Sequence, residues 1–251
     1  MLHTKVEMMG LCKLCLRDRP LVEGHVLSEF LYHDLYDQNR HKFHQLHADV
    51  TKRNIQRSKG LYDRMLCDDC DNRIISAYET YASKVLNGGA EIVIRHKPDR
   101  IVVSELEYAK FKLFQVSLLW RSVISTMDEF TAVSVTPEHA ERMRLMLLNC
   151  DPGEPHDYGC VLMIPEMYNE VRQVIMPPDP IRISGHRCFR LLAGGLWWLY
   201  VVSRHSSSFE KRELFLSRDG TLSIVKERAS TAFMRRFAAD LVKNPTFPKP
   251  T

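Results

Sequence analysis

The sequence lacks an apolar stretch long enough to cross a membrane. Its longest apolar run, Leu191 to Val202, is short and is interrupted by two glycines, whereas a transmembrane helix needs about 20 apolar residues. The first residues, MLHTKVEMMG, also lack the apolar core of a secretory signal. We therefore expect a soluble, cytoplasmic protein with no membrane partner.

A strong excess of one charge is absent as well. Lys and Arg together number 35 against 31 Asp and Glu, for a net charge of +4, so the total charge does not indicate a nucleic-acid-binding protein. The charge is nevertheless uneven, because residues 40–59 contain several basic residues and only one acidic residue. Such a segment predicts either a solvated surface loop or a contact with nucleic-acid phosphates. Its basic residues are Arg40, Lys42, Lys52, Arg53, Arg57 and Lys59.

The 7 cysteines are too unevenly spaced for an oxidised, disulfide-rich secreted scaffold, which indicates a reducing compartment. Four of them form two CxxC pairs, Cys12 with Cys15 and Cys67 with Cys70. Each pair can close a tight knuckle on a metal ion, and two pairs complete the tetrahedral sulfur shell that Zn²⁺ prefers. We predict a structural zinc site that joins two distant segments, with a long insertion between the pairs.

Composition divides the chain at Asn87-Gly88-Gly89. Residues 1–89 are rich in cysteine, histidine and charge, and they predict a zinc-bound unit. Residues 90–251 contain longer apolar patterns and predict an α+β domain with antiparallel strands, whose role the sequence does not reveal. The fold class is therefore α+β.

Apolar spacing and capping residues in the second part predict helices over 104–127, 136–149 and 229–242. Short β-branched and aromatic runs, separated by Gly, Pro or Asp-Gly turns, predict strands at seven places. These are 158–164, 171–176, 181–183, 188–192, 196–203, 214–217 and 221–225.

Three segments, read in order, resemble the zinc-containing branch of the HNH endonuclease superfamily: CKLC, LVEGHVLSEFLY and MLCDDCDNRIISAYETYASKVL. The chain also resembles uncharacterised bacterial HNH-type proteins. The resemblance implies a ββα-metal fold, with residues 21–26 as the first strand and residues 67–85 containing the helix. It further implies hydrolysis of DNA phosphodiester bonds with a divalent cation such as Mg²⁺, and a role in bacterial defence.

Within that resemblance, His25 corresponds to the general base. Phosphodiester hydrolysis needs a base near neutral pH, and imidazole is the only side chain whose ordinary pKa lies there. In this superfamily the residue before the base usually ligates the catalytic metal as Asp or His, but here that residue is Gly24.

The residues that follow the second CxxC pair supply candidate ligands on the helix. Asp71 suits a hard cation, but an acidic residue in the first helical turn is also favoured by the helix dipole in any protein. Asn72 is expected to tie the helix to the strand that carries His25. Glu79, two turns further on, is expected to be a surface residue.

Two functions remain open on these residues. The first is a metal-dependent HNH-type endonuclease whose second domain binds DNA, a regulator or a partner protein. The second is a non-catalytic zinc module for nucleic-acid or protein binding, in which the HNH site has decayed, and Gly24 favours it. A hard-cation site near His25 and Asp71, distinct from the zinc, would favour the enzyme.

Overall fold

The computed structural model describes residues 8–32, 43–45, 55–57, 60–165 and 174–226. Its helices and strands form a mixed α+β fold in which two sheets consist mostly of antiparallel pairs. The predicted fold class is confirmed at this level. The predicted helix over 229–242 lies outside the described residues.

The smaller sheet has three antiparallel strands in the order β1-β2-β5. These are β1 (Met8–Leu11), β2 (Asp18–His25) and β5 (Tyr62–Cys67). After β5 the chain enters a wide π-helical turn, Cys70–Ile75, which continues directly into helix α1 (Ser76–Asn87). The second CxxC pair therefore lies where a strand passes into a helix.

The larger sheet has nine strands, and all its neighbouring pairs are antiparallel except β3 with β9 and β8 with β12. Its order is β4-β3-β9-β10-β11-β8-β12-β7-β6. Two strands from the insertion between the CxxC pairs, β3 and β4, thus join strands from the second part of the chain. The ranges are β3 (Phe43–Gln45), β4 (Ile55–Arg57), β6 (Val93–His96), β7 (Arg100–Ser104), β8 (Cys160–Ile164), β9 (Val174–Ile183), β10 (His186–Ala193), β11 (Leu196–Val201) and β12 (Leu222–Lys226).

Helix α2 (Tyr108–Ile124) is the centre of the molecule. Every residue from Phe111 to Ser122 is buried, as expected for a helix with neighbours on all sides. It packs between α1, α3 (Pro137–Leu148) and the large sheet, where the Phe114 ring meets the edge of Trp198. The predicted helix over 104–127 is confirmed with shorter ends, and Pro137 occupies the first turn of α3 as its sequence predicts.

Three of the predicted strands differ in detail from the structure. Residues 174–176 of the first predicted segment and the whole of 181–183 belong to the single strand β9, which continues through Pro177, Pro178 and Pro180, whereas 171–173 lie outside the described residues. Proline lacks an amide hydrogen and is tolerated where one side of a strand is unpaired. The neighbour β3 pairs only with Val174 and Ile175. On that side of β9 the three prolines therefore need no amide hydrogen to bond a neighbouring strand. Residues 214–217 are not a strand, and their apolar side chains are buried beside a short 3-10 turn.

The main hydrophobic core runs through both parts of the chain, from Cys12 and Leu14 to Ile224, and a smaller cluster around Phe209 and Phe215 lies in the second part. The predicted division at residue 89 falls just after α1, where Gly88 and Gly89 have φ angles of 86° and 101°, which glycine adopts without strain. That division stays a prediction. In the described ranges, no helix combines the length and the apolar character that crossing a membrane requires.

Candidate metal centre and active site

The two CxxC pairs meet in space. Cys12 and Cys15 lie in the turn between β1 and β2, and Cys67 and Cys70 flank the junction of β5 with the helix. All four sulfur atoms lie within 4.8 Å of one another, and the Sγ atoms of Cys15 and Cys67 are 4.0 Å apart. Tetrahedral Zn²⁺ with Zn–S bonds of about 2.3 Å separates its sulfurs by about 3.8 Å. The four side chains therefore fit a metal ion such as zinc.

The electrostatics of this cluster also suit a bound cation. Burial opposes ionisation of Cys12, but backbone N–H groups of Cys15, Cys67 and Leu14 donate to its sulfur and lower its pKa to about 7. Burial raises the pKa of Cys67 and of Cys70, and the neighbouring sulfur of Cys12 raises both further. Several thiolates cannot share this space unless a cation compensates their charge.

Helix α3 anchors the first knuckle. Leu14, between the two cysteines of that knuckle, is fully buried. Its carbonyl oxygen accepts a hydrogen bond of 2.6 Å from Nη1 of Arg144, whose guanidinium also pairs with Glu141. The knuckle is thus held by residues that lie far away in sequence.

His25 is the last residue of β2. Its ring lies against that of Tyr62, with 4.1 Å between ring centroids, and Nε2 is buried without a hydrogen-bond partner among the described residues. The nearest carboxylate oxygen, Oε2 of Glu29, is 3.6 Å from Nε2. Burial lowers the pKa of His25 and Arg121 lowers it further, whereas Glu29 and Glu79 oppose this shift. The net shift favours the neutral imidazole, which is the form able to accept a proton.

Asp71 lies directly beside the end of the same strand. A Cβ atom placed on Gly24 would be 2.9 Å from Oδ2 of Asp71 and 3.0 Å from Oδ1, so the carboxylate occupies the space next to this glycine. Burial raises the pKa of Asp71, and Glu79 adds to that rise although Arg121 opposes it. Among the described residues, the carboxylate accepts no hydrogen bond. Asp71 also lies in the first turn of the helical segment, so the helix-dipole interpretation stays open beside the metal-ligand one.

The other two expectations for the helix were wrong. Asn72 donates from Nδ2 to Oδ1 of Asp68 at 2.7 Å, a local contact that does not reach the strand carrying His25. Glu79 is not a simple surface residue, because its Oε1 accepts from Ser28 Oγ at 2.5 Å and lies 2.8 Å from Nη2 of Arg121. Sequence reasoning missed both of these partners.

The π-helical turn explains why Asp71 and Glu79 both approach the end of β2. In a regular α-helix, residues eight positions apart differ by about 80° around the axis, at about 100° per residue. A π turn accommodates one extra residue, so the two carboxylates are spaced as if seven positions apart and return to one face.

Of the six basic residues in the segment 40–59, Arg57 is described. Its guanidinium pairs with Glu129 and donates to Oε1 of Gln45, and its side chain is only 21% exposed. This charge is therefore engaged within the protein. The other five, Arg40, Lys42, Lys52, Arg53 and Lys59, lie outside the described residues, and phosphate contact by this segment stays a prediction.

Within the described ranges, the four cysteines form the only group of three or more His, Cys, Asp or Glu side chains close enough together to hold an ion as they stand. Comparisons of the chain with family models, with curated proteins and with solved structures gave no match.

Proposed function

We propose that this chain is a metal-dependent, HNH-type endonuclease that hydrolyses DNA phosphodiester bonds. The proposal is supported above all by one observation, a half-buried imidazole at the end of β2, with its Nε2 buried, beside a helix that presents a carboxylate to the same strand end. The four-cysteine centre holds that strand and that helix together. In this proposal β2, β5 and the helix after β5 correspond to the ββα unit that the sequence resemblance implies, with β3 and β4 inserted between the two strands.

In this proposal Asp71 is the ligand for a hard cation at the strand end, although the described residues bring no group of three His, Cys, Asp or Glu side chains together there. The Asp71 carboxylate has no protein donor among the described residues, and carboxylate oxygen is the ligand that Mg²⁺ and Mn²⁺ prefer. Gly24 provides no ligand, but the Asp71 carboxylate occupies the space that a side chain at position 24 would take. In this proposal the helix supplies the ligand that the strand supplies elsewhere in the superfamily.

A bound cation would stabilise negative charge on the phosphate and on the departing oxygen. Nε2 of His25 accepts a proton from water as the water oxygen bonds to phosphorus, and the ester P–O bond breaks. The departing oxygen then takes a proton from solvent. Glu29, whose Oε2 is 3.6 Å from Nε2, stabilises the imidazolium that forms.

Cleavage of supercoiled plasmid by the full-length protein with Mg²⁺, Mn²⁺ or Ni²⁺ tests this function. His25→Ala should abolish nicking, whereas His96→Ala, at an exposed histidine of β6, should not. Asp71→Asn should abolish it too, whereas Asp69→Asn alters only an exposed carboxylate that pairs with Arg19 and should not. Each variant should retain one zinc per chain. Nicking by His25→Ala at the wild-type rate would contradict the assigned base.

The second candidate is a zinc module that binds nucleic acid or protein without cleaving it, and Gly24 favours it because glycine offers no metal ligand. One tightly bound zinc, retention of labelled duplex DNA and no cleavage with any of the three cations would support this alternative. A cytoplasmic location, a role in bacterial defence and a partner protein bound through residues 90–251 belong to the endonuclease proposal.

A further inference from the structure

Arg121 is a charged residue in the buried centre of α2, with only 1% of its surface exposed. Nη1 donates to the carbonyl oxygen of His25 at 2.7 Å, and Nη2 donates to Oγ of Ser28 at 3.0 Å. Nη2 also lies 2.8 Å from Oε1 of Glu79, and Nε donates to the carbonyl oxygen of Ser117. All three nitrogen atoms of the guanidinium are therefore engaged.

Burying an arginine costs more free energy than burying an apolar side chain, so packing alone does not account for Arg121. Desolvating a guanidinium offsets much of what its ion pair contributes, and an apolar side chain of similar size often stabilises a core as well. The neighbours of Arg121 on α2 include Leu118, Leu119 and Trp120, all fully or almost fully buried. An arginine among them indicates a role that depends on its fixed fork of donors.

We propose that Arg121 is a positioning residue for His25. It holds the carbonyl of His25 itself, and through Ser28 and Glu79 it fixes the segment that follows β2 and the helix that carries Asp71. This inference rests on the proposed function, and it gives the second part of the chain a direct part in the site.

Three elements converge on this one guanidinium: the end of β2, the residues just after it, and α1. Ser28 is fully buried, and its hydroxyl donates to Glu79 while it accepts from Arg121. Displacing the guanidinium would leave the carboxylate of Glu79 with one donor instead of two. The His25 backbone and the Glu79 carboxylate would then no longer be held by the same guanidinium.

Two substitutions separate positioning from simple stability. Arg121→Met removes all the donors of the guanidinium. We expect kcat to fall about 100-fold and KM to change by less than about threefold. A displacement of the imidazole by about 1 Å is enough for such a loss of kcat. Arg121→Lys keeps the charge and one donor group, and it should recover part of kcat. The control is Arg190→Met, which removes another partly buried ion pair, with Asp179, and should leave kcat within about twofold.

The ¹H–¹⁵N signals of the His25 ring, recorded on zinc-loaded protein without DNA, provide a second readout that needs no cleavage. They should shift in Arg121→Met and not in Arg190→Met. If the wild type cleaves nothing and the ring signals still shift, the endonuclease proposal fails while the positioning role stands. Wild-type kcat and unshifted ring signals in Arg121→Met would overturn the inference. If Arg121→Met does not fold, the double variant Arg121→Met with Glu79→Gln is used for the same measurements. It removes both members of the ion pair and so leaves no unpaired charge.

Discussion

Cys70→Ser removes one sulfur from the centre where β5 passes into the helix, and we expect it to unfold the N-terminal part of the protein. Cys70 is only 3% exposed, so the serine hydroxyl would be buried among three thiols without a metal. Zinc contributes about 10–16 kcal/mol to the folding of comparable small sites. A whole domain is stable by only about 5–15 kcal/mol, so complete loss of the metal removes most or all of that margin.

A partial loss of the zinc-binding free energy would still be measurable. If the variant retained zinc on three sulfurs and lost only about a quarter of the binding free energy, about 3 kcal/mol, its Tm would fall by about 6–12 °C. The same reasoning applies to Cys12→Ser, because Cys12 is fully buried and its sulfur accepts the backbone N–H of Cys67.

The assay combines metal analysis with thermal unfolding followed by circular dichroism. Cys150→Ser is the matched control, because Cys150 is exposed and outside the cluster. Its sulfur accepts a hydrogen bond from the Tyr78 hydroxyl, which a serine oxygen can also accept. The control should keep one zinc and the wild-type Tm. A Cys70→Ser variant that melts cooperatively at the wild-type Tm would refute the zinc-centre argument.

Three further outcomes are expected. Glu29→Gln removes a carboxylate that raises the pKa of His25, so the acidic limb of the pH–rate profile for cleavage should move to lower pH. Burial lowers the pKa of Lys112 from 10.5 to about 8; between these pH values the unfolded state binds this proton and the folded state does not, so the contribution of Lys112 to the free energy of unfolding should rise by about 3 kcal/mol as pH increases through that window. Urea denaturation should show this rise as a growing difference between the wild type and Lys112→Met, because the raised pKa values of buried cysteines and tyrosines act in the opposite sense in both proteins. Gly24→Ala places a methyl group 2.9 Å from Oδ2 of Asp71, so calorimetry should show weaker Mn²⁺ binding with zinc content and Tm unchanged.

The parts of the fold that sequence predicted are those that depend on local chemistry. Paired cysteines at CxxC spacing restrict where a metal can bind, and they come together as expected. Thr136-Pro137 starts α3 because proline fits the first turn of a helix. The alternation and apolar runs of the second part place most of its strands within a few residues.

The parts that sequence missed depend on contacts between distant segments. Glu79 was expected at the surface, and nothing local in the sequence indicates the π turn that brings it to the same helix face as Asp71. Arg121 was not singled out in the sequence, since its partners Ser28 and His25 precede it by more than ninety residues. Such charges are identified only once the surrounding elements are in place.

The two buried arginines of the helices act in the same way at opposite ends of β2. Arg144 of α3 donates to the carbonyl of Leu14 in the first knuckle, and Arg121 of α2 donates to the carbonyl of His25 at the strand end. Each backbone acceptor belongs to the first 89 residues and each donor to the remainder. A buried carbonyl without its donor, and a buried guanidinium without its acceptor, both cost free energy. The metal-binding unit and the helical layer therefore stabilise each other, so the composition change at residue 89 does not separate the candidate site from the residues that hold it in place.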